Sequence, residues 1–212
     1  MTQLRATDSG FDGIASFYDF LSRLVFGNAL LKAQSRWLDL LPARSTILIF
    51  GGGTGWLLAR LLATCDPRKI IYLDASPKMI SMSRKRVKDD PRVDFRIGTE
   101  TSVRSNDRVD VVITPFILDL FSENRLKNRI LPPLLTALRP NGWWLCSDFL
   151  PPRRGWQRLL LWSQYRFFRT VSRIEARNLP NWVGMLNDSL TPGDIQPFFG
   201  GMIGSGYWQK IG

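Results

Sequence analysis

Apolar runs separated by polar segments predict alternating strands and helices along this chain. Thr46–Phe50 is a run of mainly β-branched and aliphatic residues, and Lys69–Asp74 contains a second apolar run. Strands that are apolar at nearly every position are typical of parallel sheets with both faces covered by helices. The pattern therefore predicts an α/β chain whose central strands are buried on both sides.

A turn with four glycines follows the first of these strands. Gly51, Gly52, Gly53 and Gly55 stand immediately before an apolar stretch that begins at Trp56. Glycine lets a backbone turn sharply and approach a ligand without interference from a Cβ atom. The N–H groups at the start of the next helix would point at the same ligand. The turn predicts a site for a small anionic or nucleoside ligand, with a ligand-free strand-to-helix turn as the alternative.

The second strand ends in a carboxylate, Asp74, which lies 23 residues after Gly51. An acid in this place accepts hydrogen bonds from the two hydroxyls of a ribose. This spacing occurs in dinucleotide enzymes and in S-adenosylmethionine enzymes. The dinucleotide pattern G-x-G-x-x-G requires glycine at 56, where this chain has Trp56. The segment from Gly51 to Gly55 instead resembles the G-x-G-T-G turn of class I S-adenosylmethionine-dependent methyltransferases.

Further segments, in the family's order, resemble small-molecule members related to the quinone C-methyltransferases. Phe17–Asp19, Gly27 and Lys32–Leu41 resemble the N-terminal helices of these enzymes, and Val93–Glu100 resembles their third strand with its turn. Asp110–Phe116 resembles the fourth strand, and Leu138–Phe149 resembles a segment of the type L-K-P-G-G, strand, acid. The resemblance covers most of the chain. It implies S-adenosyl-L-methionine as cofactor and a small-molecule acceptor.

The same resemblance assigns residues to the cofactor. It places the glycine turn (Gly51, Gly52, Gly53 and Gly55) around the cofactor, Asp74 and Ala75 at the ribose, Thr99 or Glu100 beside the adenine, and Thr114 at the end of the fourth strand. Two positions depart from the family. Ile49 stands where an acid usually precedes the first glycine, and Thr99 stands where an acid often follows the third strand. These departures keep open a cofactor-binding protein that transfers no methyl group.

The chain length suits one α/β domain. With 212 residues, two isolated cysteines and no uncharged apolar run approaching the roughly 18 residues of a membrane span, we expect a cytoplasmic protein with reduced thiols. The N-terminus lacks the pattern of a secretory signal. We predict a doubly wound, Rossmann-like, seven-stranded mixed sheet. We expect an N-terminal helical cap over residues 1–44 and a cofactor-binding core over 45–150. A helical insertion over 151–190 would cover the acceptor, and a final hairpin would occupy 191–212.

The absence of histidine restricts the chemistry. No imidazole base, His-based triad or His-containing zinc site is available, and two cysteines make a structural metal improbable. Methyl transfer from a sulfonium requires neither, because the cofactor is already activated and the protein mainly aligns it with the acceptor. Where the acceptor is acidic, a base can help. The candidates are Asp119 after the fourth strand, Asp148 at the end of the fifth, and Tyr18; a helix cap or solvated turn is the alternative for Asp119.

Positive charge is the other global feature. The chain has 29 Lys and Arg against 18 Asp and Glu, a formal charge of +11, which favours anionic partners. On a helix, Arg154, Arg158, Arg166, Arg169 and Arg173 would share one face with Trp162 and Tyr165. Trp156, Leu159, Leu160, Phe167 and Val171 would occupy the opposite face.

This amphipathic segment has two interpretations. One is an ordinary helix packed on the sheet, and the other is a lid that covers an amphipathic acceptor or touches an anionic membrane at its inner face. The predicted function is therefore methyl transfer to a small, hydrophobic or amphipathic acceptor. An RNA methyltransferase is an alternative that the charge favours, but no additional RNA-binding module supports it.

Overall fold

The computed structural model of the protein describes residues 23–171, 176 and 178–212. In chain order the strands are β1 (Thr46–Phe50), β2 (Lys69–Asp74), β3 (Val93–Ile97), β4 (Val109–Pro115), β5 (Leu138–Phe149), β6 (Thr191–Phe198) and β7 (Ile203–Gln209). Within the described ranges they form one seven-stranded sheet in the order β3-β2-β1-β4-β5-β7-β6. β7 runs antiparallel to both of its neighbours, while the β1, β2, β3, β4 and β5 pairings are parallel. The predicted mixed sheet is confirmed.

Helices connect these strands on both sides of the sheet. They are α1 (Ala29–Ser35), α2 (Trp56–Thr64), α3 (Pro77–Arg86), α4 (Glu123–Arg125), α5 (Leu131–Ala137), α6 (Gly155–Val171) and α7 (Trp182–Asn187), with a π-helical turn at Leu126–Ile130. Short 3₁₀ turns occupy Leu38–Leu40, Glu100–Ser102, Leu118–Leu120 and Phe199–Gly201. α6 and α7 form the helical insertion that the sequence predicts before the last two strands.

Local sequence explains where α3 begins. Ser76 has an extended backbone, and its hydroxyl accepts a hydrogen bond from the N–H of Met79 at 3.0 Å. Pro77 occupies the first helical position, where its fixed φ suits a helix and its missing N–H would have had no helical partner. This start fixes α3 directly after Asp74, the last residue of β2.

Two apolar clusters cover the faces of the sheet. Leu48 and Phe50 of β1 pack on one side, while Ile47 and Ile49 pack on the other with residues of α2. Successive side chains of a strand point to opposite faces, so a strand covered on both faces is apolar throughout. All five residues of β1 are buried. Ile49, the departure from the family pattern, is fully buried in this core.

A third cluster lies at the carboxyl ends of the parallel strands. It includes Phe26, Leu30, Phe116 and Phe149, with residues of α6 packed against it. α1 is held there because the hydroxyls of Ser147 and Ser205 both donate to the carbonyl of Ala33, at 3.0 and 2.7 Å. α1 and α6 therefore cover the same end of the sheet.

The faces of α6 differ from the prediction. Trp156, Leu159 and Phe167, which were expected on the apolar face, are 46%, 66% and 39% exposed, and Trp162 of the basic face is 61% exposed. Tyr165, which was expected on the basic face, is half-buried and lines the interior. The inner face of the helix therefore includes polar residues, and two of them, Gln157 and Tyr165, donate hydrogen bonds to Gly200 and Asp119. Arg173 lies outside the described residues, as does the side chain of Val171.

Candidate functional site

A cavity of about 420 Å³ opens at the carboxyl ends of the central strands. β1 lies between β2 and β4: the strands that follow β1 first extend the sheet on one side, to β3, and then on the other side, from β4 onward. The order of the strands therefore reverses at β1. In open α/β sheets the crevice at this reversal is where ligands bind. The volume lies in the range of roughly 300–1,000 Å³ that is typical of small-molecule sites.

The glycine turn forms one wall of this cavity. Gly51, Gly53 and Gly55 have φ values of 74°, 64° and 82°, a region that other residues rarely adopt. A Cβ atom added at Gly53 would meet nothing within 4 Å, so the backbone there borders open space. At Gly52 a Cβ would lie 2.2 Å from Cζ of Tyr72, and therefore no side chain fits.

Two side chains of β2 fix the position of Gly53. Its N–H donates to Oδ2 of Asp74 at 2.8 Å, and its carbonyl accepts from the hydroxyl of Tyr72 at 2.9 Å. Burial raises the pKa of the Tyr72 phenol well above its usual value, so this group stays a neutral donor. The sequence analysis missed Tyr72. The available indication was its spacing of two from Asp74, which puts both side chains on one face of the strand.

Asp74 also accepts a hydrogen bond from the N–H of Ser76 at 2.9 Å, through Oδ1. Each carboxylate oxygen can accept more than one hydrogen bond, so these backbone contacts are compatible with a ribose hydroxyl on the same group. Asp74 and Ala75 both line the cavity, as do Gly51, Gly52 and Gly53. The residues that were predicted for the sugar and for the turn therefore meet in one place.

Of the two residues expected beside the adenine, only one lines the cavity. Thr99 lines the cavity beside Gly98, whereas Glu100 is buried outside the lining and pairs with Arg125 and Arg129 at 3.3 Å each. Of the two alternatives that the sequence left open, the geometry favours Thr99. A buried carboxylate is retained only with partners, and Glu100 finds them in these arginines.

Two further assignments need correction. Thr114 is fully buried outside the cavity lining, where its hydroxyl accepts from Nε1 of Trp144 at 3.0 Å. The cavity is lined instead by Pro115 and Phe116, which follow it. Gly55 does not line the cavity either, because a Cβ there would lie 2.6 Å from Cβ of Ser83. Gly55 permits close packing of the turn against α3.

Asp119 lines the cavity in the 3₁₀ turn after β4, and Asp148 lies behind it, fully buried and outside the lining. The Asp148 carboxylate accepts from the N–H groups of Leu118, Asp119 and Phe149 at 2.9, 3.3 and 2.8 Å. The two carboxyl groups are also hydrogen-bonded to each other. Asp119 is therefore neither a solvated turn residue nor a simple helix cap.

Burial favours the neutral form of both acids. Burial and the adjacent charge of Asp148 raise the pKa of Asp119 well above its usual value. Burial raises the pKa of Asp148 to about 6, and its hydrogen bonds oppose that shift. Three N–H groups donate to Asp148, and hydrogen bonds of this kind stabilise the ionised form, so the negative charge is favoured on Asp148 and the proton on Asp119.

The other wall of the cavity is mainly aromatic. The ring of Phe149 lies 5.5 Å from that of Phe26 and 5.7 Å from that of Phe116, measured between centroids. Phe116 has a φ of 54°, a strained conformation for a bulky residue that persists mainly at ligand sites. Gln34 of α1 and Gln164 of α6 add carboxamides to this wall. Tyr18, the third catalytic candidate, lies outside the described residues.

Within the described ranges, no group of three His, Cys, Asp or Glu side chains is arranged to hold a metal ion. Cys65 and Cys146 are both free thiols. No described helix combines the length and the apolar character needed to cross a membrane.

Comparison with known proteins identifies relatives of this chain. A family model described as "Methyltransferase domain" matches residues 47–142. A demethylmenaquinone methyltransferase from Thermotoga maritima is 32% identical over 148 residues, covering 67% of this chain and 61% of the relative. This chain thus spans about three fifths of the length of that relative.

Solved structures share the fold. The 1,6-didemethyltoxoflavin-N1-methyltransferase of Burkholderia thailandensis, bound to 1,6-didemethyltoxoflavin and S-adenosylhomocysteine, has a TM-score of 0.69 at 16% identity, over 96% of this chain and 87% of that one. A chain in the complex of the Haloferax volcanii Trm112 methyltransferase activator with a methyltransferase has a TM-score of 0.75 at 15% identity, over 97% of this chain and 98% of that one.

The fold, the glycine turn and the sequence match together show that the chain belongs to the class I S-adenosylmethionine-dependent methyltransferases. Within that class, its sequence is related to the quinone methyltransferases. Members of the family use S-adenosylmethionine, so the predicted cofactor class is confirmed.

Proposed function

We propose that the protein transfers a methyl group from S-adenosylmethionine to a small, hydrophobic or amphipathic acceptor. The observation that carries this proposal is one cavity that joins the glycine turn and Asp74 to an aromatic wall. When bound, the cofactor supplies a methyl group already activated by its sulfonium. The protein residues then need to hold two reactants in line and exclude water, which a largely apolar cavity does.

Each wall has its own task in this proposal. The turn residues Gly51, Gly52 and Gly53, with Asp74, Ala75 and Thr99, hold the cofactor, and 45–150 is its binding core. The segment 151–190 covers the acceptor, because α6 contributes Leu160, Leu161 and Gln164 to the cavity. The name of the Thermotoga maritima relative indicates a demethylated quinone as its substrate. Substituted naphthalene rings are therefore the first acceptors to test.

Asp119 is the proposed catalytic residue of this chain, and Asp148 positions it and takes up charge. An acidic acceptor that loses a proton during transfer requires a group to receive that proton. Asp119 is the acid of the pair that reaches the cavity. Its raised pKa makes it an effective acceptor only where it has lost its own proton, so turnover should increase above neutral pH.

The experiment measures transfer of an isotopically labelled methyl group to 1,4-dihydroxynaphthalene and related rings, together with calorimetric binding of S-adenosylhomocysteine. Asp74→Ala should weaken cofactor binding about tenfold or more, since each ribose hydrogen bond to a carboxylate contributes roughly 1.5–3 kcal/mol. Asp39→Ala, a change at an exposed acid, is the matched control and should bind normally. Equal affinity in folded Asp74→Ala would place the ribose site elsewhere.

Two alternatives have distinct outcomes in the same experiments. A charge of +11 favours RNA as acceptor, and salt-dependent retention of RNA followed by its methylation would support that activity. Tight cofactor binding without product on any acceptor would support a protein that no longer transfers methyl groups. The buried Ile49 and the neutral Thr99 motivate the second alternative.

We also propose that the outer face of α6 contacts an anionic membrane at its cytoplasmic side. Leu159 and Trp162 are 66% and 61% exposed there, between the exposed arginines Arg158, Arg166 and Arg169. Arg166 lies 5.9 Å from the ring centroid of Trp162. Aromatic and aliphatic groups surrounded by arginines, without an acidic residue between 153 and 171, match the chemistry of an anionic lipid surface.

Sedimentation with phosphatidylglycerol vesicles tests this contact. Each arginine near such a surface contributes on the order of 1 kcal/mol, so replacing Arg158, Arg166 and Arg169 together by Gln should reduce binding at least tenfold. A control triple variant, Arg44, Arg60 and Lys127 to Gln, removes the same charge from other elements. If both triple variants lose binding equally, or the wild type ignores the vesicles at low salt, α6 has no specific membrane role.

A further inference from the structure

Two glutamines on α6 have opposite environments. Gln157 is fully buried and its amide is hydrogen-bonded at both ends: Oε1 accepts from the N–H groups of Arg153 and Arg154 at 2.8 and 3.0 Å, and Nε2 donates to the carbonyl of Gly200 at 2.9 Å. Gln164 lies seven residues later, which is two turns along the same face of the helix. It lines the cavity, and its Oε1 is buried without a hydrogen-bond partner among the described residues.

A buried carbonyl oxygen without a donor is unfavourable, because it has lost its bond to water and gained none in the protein. Such groups are rare in folded proteins, and each calls for an explanation. An apolar side chain of similar shape would fill the same place at no such cost. An amide at this place is explained by a donor that arrives with a ligand.

Two other polar residues that line the cavity already have partners inside the protein. The hydroxyl of Tyr165 donates to the backbone carbonyl of Asp119 at 3.1 Å. The side chain of Asp119 is hydrogen-bonded to Asp148. In contrast, Oε1 of Gln164 has no hydrogen-bond partner among the described residues, on a wall that Phe26, Phe116 and Phe149 make mainly aromatic.

We propose that Gln164 determines acceptor specificity by accepting a hydrogen bond from an O–H or N–H group of the acceptor. The substrate class is then an apolar ring system that carries such a donor, as in a phenol, a hydroquinone or an N–H heterocycle. Rings that carry only carbonyl or ether oxygens lack this bond. The inference rests on the proposed function, because it assigns the aromatic wall to the acceptor.

The first test uses two probes that differ in one donor, 1-naphthol and 1-methoxynaphthalene. Their binding to protein saturated with S-adenosylhomocysteine is followed by tryptophan fluorescence. Wild type should prefer 1-naphthol by about threefold to tenfold, the range for one neutral hydrogen bond. Gln164→Met, which keeps the length and removes the amide, should bind both probes alike. Equal binding by wild type, a preference that survives in Gln164→Met, or no binding of either probe at millimolar concentration each overturns the proposal.

The second test is thermal unfolding in the absence of ligand. If the Gln164 amide serves a ligand, Gln164→Met should leave the melting temperature unchanged or raise it. Gln157→Met, the matched control, should lower the melting temperature because it breaks three hydrogen bonds. A fall in Gln164→Met as large as that in Gln157→Met would assign Gln164 a structural role. Neither test requires turnover, so a failure of methyl transfer is seen separately in the labelled-methyl assay.

Discussion

Tyr72→Phe tests whether the glycine turn is held in place by β2. The phenol is fully buried and donates to the carbonyl of Gly53 at 2.9 Å, opposite the bond from Gly53 N–H to Asp74. Removing the hydroxyl leaves that carbonyl without its donor, at a cost of about 1.5 kcal/mol within the usual range of 1–3 kcal/mol. If the turn then shifts and must be restored on binding, cofactor affinity should fall about tenfold, since 1.4 kcal/mol corresponds to a factor of ten.

Urea denaturation gives the free energy of unfolding, and calorimetry with S-adenosylhomocysteine gives the affinity. Tyr207→Phe is a matched control. The Tyr207 ring packs 4.9 Å from Trp37 and 5.6 Å from Trp143, and no hydrogen bond of its hydroxyl occurs within the described residues. We expect this control to stay within about 0.5 kcal/mol of wild type. The reasoning is refuted if Tyr72→Phe matches Tyr207→Phe in both measurements.

Three further variants probe the walls of the cavity. Gly53→Ala should fold, with a strain of about 1–2 kcal/mol from its φ of 64°, but should lose at least tenfold in calorimetric affinity for S-adenosylhomocysteine because its Cβ enters the cavity. Asp119→Asn should keep that affinity while lowering turnover and flattening its rise with pH. The folded pKa values of Asp119 and Asp148 are raised, so the folded state binds more protons than the unfolded state. The free energy of unfolding of the wild type, measured in urea, should therefore decrease as the pH rises from 4 to 7, and it should decrease less in the Asn variant. Glu100→Gln should lower the unfolding free energy by about 3 kcal/mol, because Arg125 is only 6% exposed and loses its charge partner; an effect below about 1 kcal/mol would contradict this.

The sequence was sufficient for the order of elements, and it indicated the glycine turn and Asp74, which line one cavity. β1 is apolar at every position because both of its faces are covered, and this pattern is visible without coordinates. The glycine turn and Asp74 were equally predictable, since glycine is required where φ is positive, and an acid that ends a strand lies at the ligand edge of a parallel sheet. These features depend on neighbours within a few residues or on a single strand–helix–strand unit.

Only the tertiary structure decided the acceptor side. Helical periodicity placed Tyr165 among arginines and Leu159 on the opposite, apolar face, whereas in the structure Tyr165 donates to Asp119 inside the protein and Leu159 is exposed. The raised pKa values of Asp119 and Asp148 likewise depend on two acids 29 residues apart meeting in a buried site. Glu100 illustrates the same limit, because burial beside Arg125 took it out of the cavity. Periodicity describes which side chains share a face, but the partners that each face meets come from distant parts of the chain.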